Sequence, residues 1–359
     1  MLTLLIFILI LSVLIIVHEF GHLLAAKRVG VRVEKFSLSF GPQLWKTTKD
    51  GTEYSVAAIP LGGFVKLAGD NLEEYSGKPY EYYSKTPGER FQIIFAGPLL
   101  NYVLGFLFFW VIFFAGYPTL TAKVGGLLEG MGAKEAGLQV GDKITAIDGK
   151  TVLYWDDMQS IIRSKKTEDS VKLSVLRKDK NFDVSVRIRE KQVDDQMGAK
   201  RSVGLIGITP YDEIIKVRHG FLISGWLGLR QTWELTRLTY IGLGRMITGK
   251  LSLRDSVTGP LGIFYITSKA ASVGLIAVMH LMAILSISLG IFNLLPLPVM
   301  DGGHIFLLGV EKLRRKGLSV KTENIITRIG VSLIITLAVL VTYNDIVRLF
   351  GDKIHKLIK

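Results

Sequence analysis

Hydrophobic and polar positions along this chain fall into three textures. In the first, stretches at approximately 2–25, 92–116, 274–296 and 325–343 are apolar over enough residues to cross roughly 30 Å of hydrocarbon at about 1.5 Å per residue. Each predicts a transmembrane helix. In the second, between about 118 and 218, runs such as KITAID, VKLSVLR and FDVSVRIRE alternate apolar with polar residues. That period of two marks half-buried strands, and the stretch is long enough for one small domain with its own core. The third is GFLISGWLGLRQTWELTRLTYIGLGRM, within 220–250, helical in pattern but interrupted by Arg230, Glu234 and Arg237. Charge of that density predicts an amphipathic helix lying on the membrane rather than a fifth span.

The charges orient these elements. Met1 to Val17 carries none, and the first basic residues, Lys27 and Arg28, follow the apolar run. A cleaved signal segment has the reverse arrangement, so the first helix is expected to be retained with its N-terminus outside. Lys27, Arg28, Arg32, Lys35, Lys46 and Lys49 then form one cytoplasmic loop, and Lys312, Arg314, Arg315 and Lys316 form another. With four spans both loops lie on one side, and the β-rich domain lies outside. The tail with Lys353, Lys356 and Lys359 would lie outside too, a mild departure from the positive-inside rule. The expected fold class is therefore membrane α-helical, with four transmembrane helices and one extracytoplasmic α+β domain. Its divisions are 1–117, 118–218, 219–270 and 271–359.

Composition changes this picture little. The 359 residues are 49% hydrophobic, and 44 Lys and Arg against 31 Asp and Glu give a net charge of +13. The basic residues sit beside apolar runs and no nucleic-acid signature accompanies them, so the expected partner is membrane lipid and no nucleic acid. The chain has no cysteine, which excludes disulfides and thiolate metal sites.

Chemistry enters with IVHEFGHLLA, residues 16–25, at the end of the first apolar run. His18 and His22 are four apart and project from one helix face, where both imidazoles can ligate one zinc ion while Glu19 acts on a bound water. Polar groups of this kind at membrane depth are costly and are functional by default. A catalytic zinc needs a third protein ligand. The outstanding candidate is Asp301 in NLLPLPVMDGGH, residues 293–304, after two prolines that break the helix and before two glycines that permit close backbone approach. His304 is a rival ligand, better suited to a supporting role.

Taken in order, HEFGHLLAAKRVGVRVEKFSLSFGPQLW at 18–45, IPLGGFVKLAG at 59–69, GPLLN at 97–101, EAGLQVGDKITAIDGK at 135–150, TGPLGI at 258–263 and NLLPLPVMDGGH resemble the site-2 protease family of intramembrane metalloproteases. The likeness is to its bacterial, RseP/RasP-type branch. The resemblance implies His18, His22 and Asp301 as zinc ligands, with Zn2+ as cofactor, and Glu19 as general base. It implies that Asn293 helps hold the substrate or the site, whereas Ser288 stands where relatives often have another asparagine. It implies that 118–218 is a single PDZ-like domain, acting as a size filter more than as a peptide binder. It also implies a membrane-associated, reentrant β-hairpin over residues 53–68, with Gly62, Gly63 and Phe64 as substrate-binding candidates. An exposed strand edge there could pair with an unwound substrate segment.

The expected activity is zinc-dependent hydrolysis of peptide bonds within or near the spans of single-span membrane proteins, such as anti-sigma factors or remnant signal peptides, in the bacterial inner membrane. A non-catalytic zinc-bearing scaffold that binds peptides is the alternative, but it would have had no reason to keep Glu19. A zinc transporter would be expected to carry more intramembrane acids or histidines than His280 and His304 supply.

Overall fold

A computed structural model describes residues 2–60, 62–165, 170–194, 200–252, 256–317 and 319–358. The chain divides into two compact units, one of residues 1–112, 222–241 and 257–359, the other of 113–221 and 242–256.

The first unit is built on helices. Four described helices are long and apolar enough to cross a membrane: Leu2–Arg28, Pro87–Ala115, Leu275–Asn293 and the Val320–Arg348 part of a longer helix. These match the four expected spans, and the protein is a membrane protein. Helix α1 (Leu2–Arg28) is uncharged and, but for Thr3 and Ser12, apolar until His18, as suits a helix in lipid, and ends on Lys27 and Arg28. Helix α2 (Pro87–Ala115) opens with a reciprocal cap: Thr86 N–H donates to Glu89 Oε2 at 2.9 Å and Glu89 N–H to Thr86 Oγ1 at 3.3 Å. The two helices touch at glycine. A Cβ on Gly21 would lie 2.3 Å from the Ala96 carbonyl oxygen, so only hydrogen allows this approach.

Between α1 and α2 lies a four-stranded sheet of β1 (Val33–Ser37), β2 (Phe40–Lys49), β3 (Thr52–Ile59) and β4 (Phe64–Leu67). Its order is β2-β3-β1-β4, with β1 parallel to β3 and antiparallel to β4. The expectation of a hairpin over 53–68 is corrected here. Strands β3 and β4 do not pair, because β1 lies between them. The hairpin in this sheet is β2–β3, turned at Asp50 and Gly51, whose positive φ values of 51° and 74° suit a two-residue turn.

The second unit has its own core. Strands β5 (Tyr117–Leu120) and β6 (Val124–Leu127) and the short helix α3 (Gly132–Glu135) come first in the chain. Strands β7 (Lys143–Ile147), β8 (Lys150–Thr151), β9 (Ser170–Arg177) and β10 (Lys180–Arg187) then form a sheet in the order β10-β9-β7-β8. Inward residues Ile144, Ile147, Val171, Leu173, Val175 and Val186 are fully buried, and α4 (Trp155–Arg163) closes the core with Trp155, Met158 and Ile162. The alternation in VKLSVLR is thus the inside and outside of β9.

The remaining helices complete the first unit, the earliest of them through its residues 222–241. Helix α5 (Phe221–Ile247) carries the charged third texture of the sequence. Its Gly228 meets the Trp110 backbone and its Thr236 hydrogen-bonds Tyr102, so it runs antiparallel along α2 over those residues. Helix α6 (Pro260–Val273) starts with Pro at its first position and breaks at Gly274, φ 128°, into α7 (Leu275–Asn293). Helix α8 (Asp301–Arg314) follows, then α9 (Val320–Ile358). Asp345 on α9 is fully buried and accepts the N–H groups of Gly259 at 3.2 Å and Gly262 at 2.8 Å, anchoring the start of α6. Helix α7 packs on α2 where Gly105 meets Ala283 and Ile287 and Gly290 meets Tyr102 and Pro98. Helices α1, α2 and α7 thereby converge around His18 and Asn101.

Candidate active site

Two residues of α1 and one of α8 bring their donor atoms together. His18 Nε2 lies 3.1 Å from Asp301 Oδ2 and 3.2 Å from His22 Nε2, and His22 Nε2 lies 3.6 Å from Asp301 Oδ1. Among the described residues this is the one cluster of potential metal ligands, its atoms all within 4.8 Å of one another. His304, the rival ligand, is outside it and lines the adjoining cavity instead.

Local sequence explains how Asp301 reaches the helices. Pro296 and Pro298 end α7 and prevent its continuation. The chain then turns through Val299, which holds a positive φ of 73°, a costly conformation for a β-branched residue. Asp301 begins α8, and the next two residues must be glycine. A Cβ on Gly302 would lie 2.3 Å from the Leu294 carbonyl oxygen, and one on Gly303 2.1 Å from that of Leu297. The DGG triplet folds the first turn of α8 back onto the loop that precedes it.

The arrangement fits a divalent cation. A tetrahedral zinc with bonds of about 2.0–2.1 Å spaces its ligand atoms about 3.3 Å apart. The nearest approaches of 3.1, 3.2 and 3.6 Å, the first and last to different oxygens of Asp301, lie near that value. Asp301 Oδ2 is buried without a hydrogen-bond partner, although His18 Nε2 is close. Two ring nitrogens and a carboxylate turned toward one another from α1 and α8 are a donor set that suits such a cation. His22 is oriented for it: its Nδ1 is 2.9 Å from the Ile93 carbonyl oxygen, which can only accept, so the proton is on Nδ1 and Nε2 is free.

Glu19 lies beside this set. The Val65 backbone N–H of β4 donates to its carboxylate, and a Cβ on Gly63 would be 3.6 Å from its Cγ. The strand β4 is the sheet edge, and no described strand pairs with its other side. Of the three substrate-binding candidates around IPLGGF, only Gly63 approaches Glu19. Gly62 packs under the Phe40 ring and Phe64 stacks on it at 6.0 Å, and neither lines the cavities at the candidate ligands. Asn293, at the end of α7, has its amide nitrogen 3.5 Å from both ring nitrogens of His18. Ser288 is half-buried and lines neither cavity.

Two cavities meet at these residues. One, of about 370 Å³, is lined by His18, Glu19, His22, Asn293 and Asp301. The other, of about 300 Å³, shares Glu19, His22 and Asp301 and extends past Asp70, Tyr82, His304 and a buried ion pair of Arg90 and Glu311 at 2.8 Å. Burial pushes the Asp70 carboxyl above the usual carboxylate range and pushes the Tyr82 phenol up as well. This polar corridor is not legible in the sequence, since Arg90 and Glu311 are 221 positions apart. Gly97 and Asn101 have no evident role there either, though both stand in GPLLN. A Cβ on Gly97 would lie 2.3 Å from His22 Nε2, and the Asn101 amide nitrogen lies 3.2 Å from His18 Nδ1.

Comparison with known proteins follows the same lines. The family model described as Peptidase family M50 matches residues 6–337. The regulator of sigma-E protease RseP of Salmonella typhimurium is 30% identical over 96% of this chain and 98% of its own length. The zinc metalloprotease RasP of Geobacillus kaustophilus is 31% identical over 96% of this chain and 97% of its own. Among solved structures, the PDZ domain of an SdrC-like protein from Listeria monocytogenes is 30% identical, with a TM-score of 0.21, over 25% of this chain and 86% of that one.

Proposed function

Because this chain belongs to peptidase family M50, we propose that it is an intramembrane zinc endoprotease of the site-2 type, which cuts single-span membrane proteins within or near their spans. The observation that carries this is the convergence of His18, His22 and Asp301 beside Glu19, with both histidines and the glutamate on a helix apolar enough to cross a bilayer. The ligands that would hold the ion are these three. When bound, zinc supplies Lewis acidity toward the scissile carbonyl and lowers the pKa of a water toward about 7.

The chain's own residues do the rest. Glu19 takes the proton from the attacking water and returns it to the departing amine, with its carboxylate held by the Val65 N–H. The free edge of β4 runs past that carboxylate, so a substrate segment added as a further strand would lie against it. Extending the substrate matters because a helical peptide bond is shielded by its own hydrogen bonds and side chains. Asn293 stands at the wall of the same cavity and is placed to steady either His18 or the substrate. Residues 118–218 act as a PDZ-like size filter outside the membrane, with the active site toward the cytoplasmic face. The relative named for sigma-E regulation makes an anti-sigma factor the first substrate class to try.

The test is cleavage of a model single-span substrate by the purified protein in detergent, with the products mapped by mass spectrometry. The reading expects one cut inside or at the edge of the substrate span, abolished by a zinc chelator and restored by zinc. Cleavage that survives complete removal of zinc overturns it.

A further inference from the structure

Asn101 carries a role that the proposed chemistry leaves open, and its assignment rests on reading His18, His22 and Asp301 as a zinc site. The residue is fully buried on α2, and Ser286 Oγ fixes its backbone by donating to its carbonyl oxygen at 2.8 Å. Its amide nitrogen lies 3.2 Å from His18 Nδ1, while its side-chain oxygen is buried with no hydrogen-bond partner. On the far side of the same ring, His18 Nε2 faces Asp301 and His22.

With a metal on Nε2, these facts do not agree with one another as they stand. A neutral imidazole that offers Nε2 to a metal bears its proton on Nδ1, and that N–H requires an acceptor. An amide NH2 facing it would oppose donor to donor and strand the amide oxygen. The two ends of a carboxamide have nearly the same shape, so a half-turn about the terminal bond exchanges them without moving another atom. The exchange gives the His18 proton an acceptor and the oxygen a donor.

We propose that Asn101 is a positioning residue whose side-chain oxygen accepts the His18 Nδ1 proton and so holds Nε2 free for the metal. His22 shows the same device with a different part, the Ile93 carbonyl oxygen at 2.9 Å from its Nδ1. Both imidazoles are thereby oriented from α2, one by backbone and one by a side chain. Asn293 is worse placed for this, because its amide end is 3.5 Å from both His18 ring nitrogens and so lies off the line of the Nδ1–H bond.

Two variants of the full chain in detergent separate the possibilities. Asn101→Leu keeps the size and removes both polar ends, and Asn101→Asp keeps an acceptor and removes the donor. Apparent zinc affinity is read by competition with a chromophoric chelator, the Co2+ absorption spectrum reports ligand geometry, and melting of the metal-free forms reports folding. The expected result is a loss of about 10–100-fold in zinc affinity for Asn101→Leu and retention within about threefold for Asn101→Asp, with the parent Co2+ spectrum. Parent affinity in Asn101→Leu would overturn the assignment. So would an Asn101→Asp variant that fails to take up zinc, whether through folding or affinity, and this arm decides alone should the leucine variant not fold. A parent chain that binds no zinc would instead sink the metal reading itself.

Discussion

At the scale of single residues, the candidate site depends as much on an absent side chain as on those that converge there. Gly97 faces His18 and His22, and a methyl group there would lie 2.3 Å from His22 Nε2 and 2.9 Å from His18 Cε1. Replacing it by alanine must push the imidazoles off their positions. Gly97→Ala is therefore expected to weaken zinc binding about tenfold or more, read by chelator competition. Gly88→Ala, with nothing within 4 Å of its Cβ, is expected to leave binding unchanged on the same helix. The three candidate ligands were legible in the sequence, because H-E-x-x-H and an aspartate flanked by prolines and glycines are unusual in apolar surroundings. Gly97 and Asn101 were visible only as letters in GPLLN. Their meaning is a distance to another helix, and no spacing along α2 encodes it.

At the scale of elements, span positions were readable to within a few residues because lipid imposes one simple rule on all of them. Strand order was not readable. The alternation around IPLGG is present in β3 and β4, but which strand each one pairs with is a tertiary choice, and β1 takes the place between them. In the second unit, Asp142 shows an element held by a charge. Burial would raise its carboxyl, yet Arg177, bonded through Nε at 2.6 Å and Nη2 at 2.7 Å, and the Gln139 N–H at 2.8 Å outweigh it and hold the group below the usual range. A folded-state pKa below the unfolded one stabilises fully above the ordinary carboxylate value of about 4 and loses that contribution as pH falls through the folded value. Hydrogen exchange of the β7–β10 amides should thus be faster in Asp142→Asn than in the parent at neutral pH, with the gap closing in acid. A gap independent of pH would show that the ion pair contributes nothing to that sheet.

At the scale of the whole molecule, both basic loops are expected on the cytoplasmic side and residues 118–218 outside. The chain has no cysteine, so single cysteines report directly. A membrane-impermeant maleimide should label Lys178→Cys in intact spheroplasts, and Lys49→Cys and Lys316→Cys only after lysis; all three positions are exposed. Labelling of Lys49→Cys and Lys316→Cys from opposite sides would mean that α5 crosses the membrane. The expectation that 220–250 lies on the interface would then fail, and its lengthwise packing on α2 makes this the topological point most worth checking.

The most direct test of the central claim compares the parent with Glu19→Gln in detergent, measuring bound zinc and cleavage of a single-span substrate on the same preparations. The account predicts about one zinc per chain in both, and cleavage reduced at least about 100-fold in the variant, as loss of a general base requires. Equal cleavage by both would remove Glu19 from the chemistry and contradict the account.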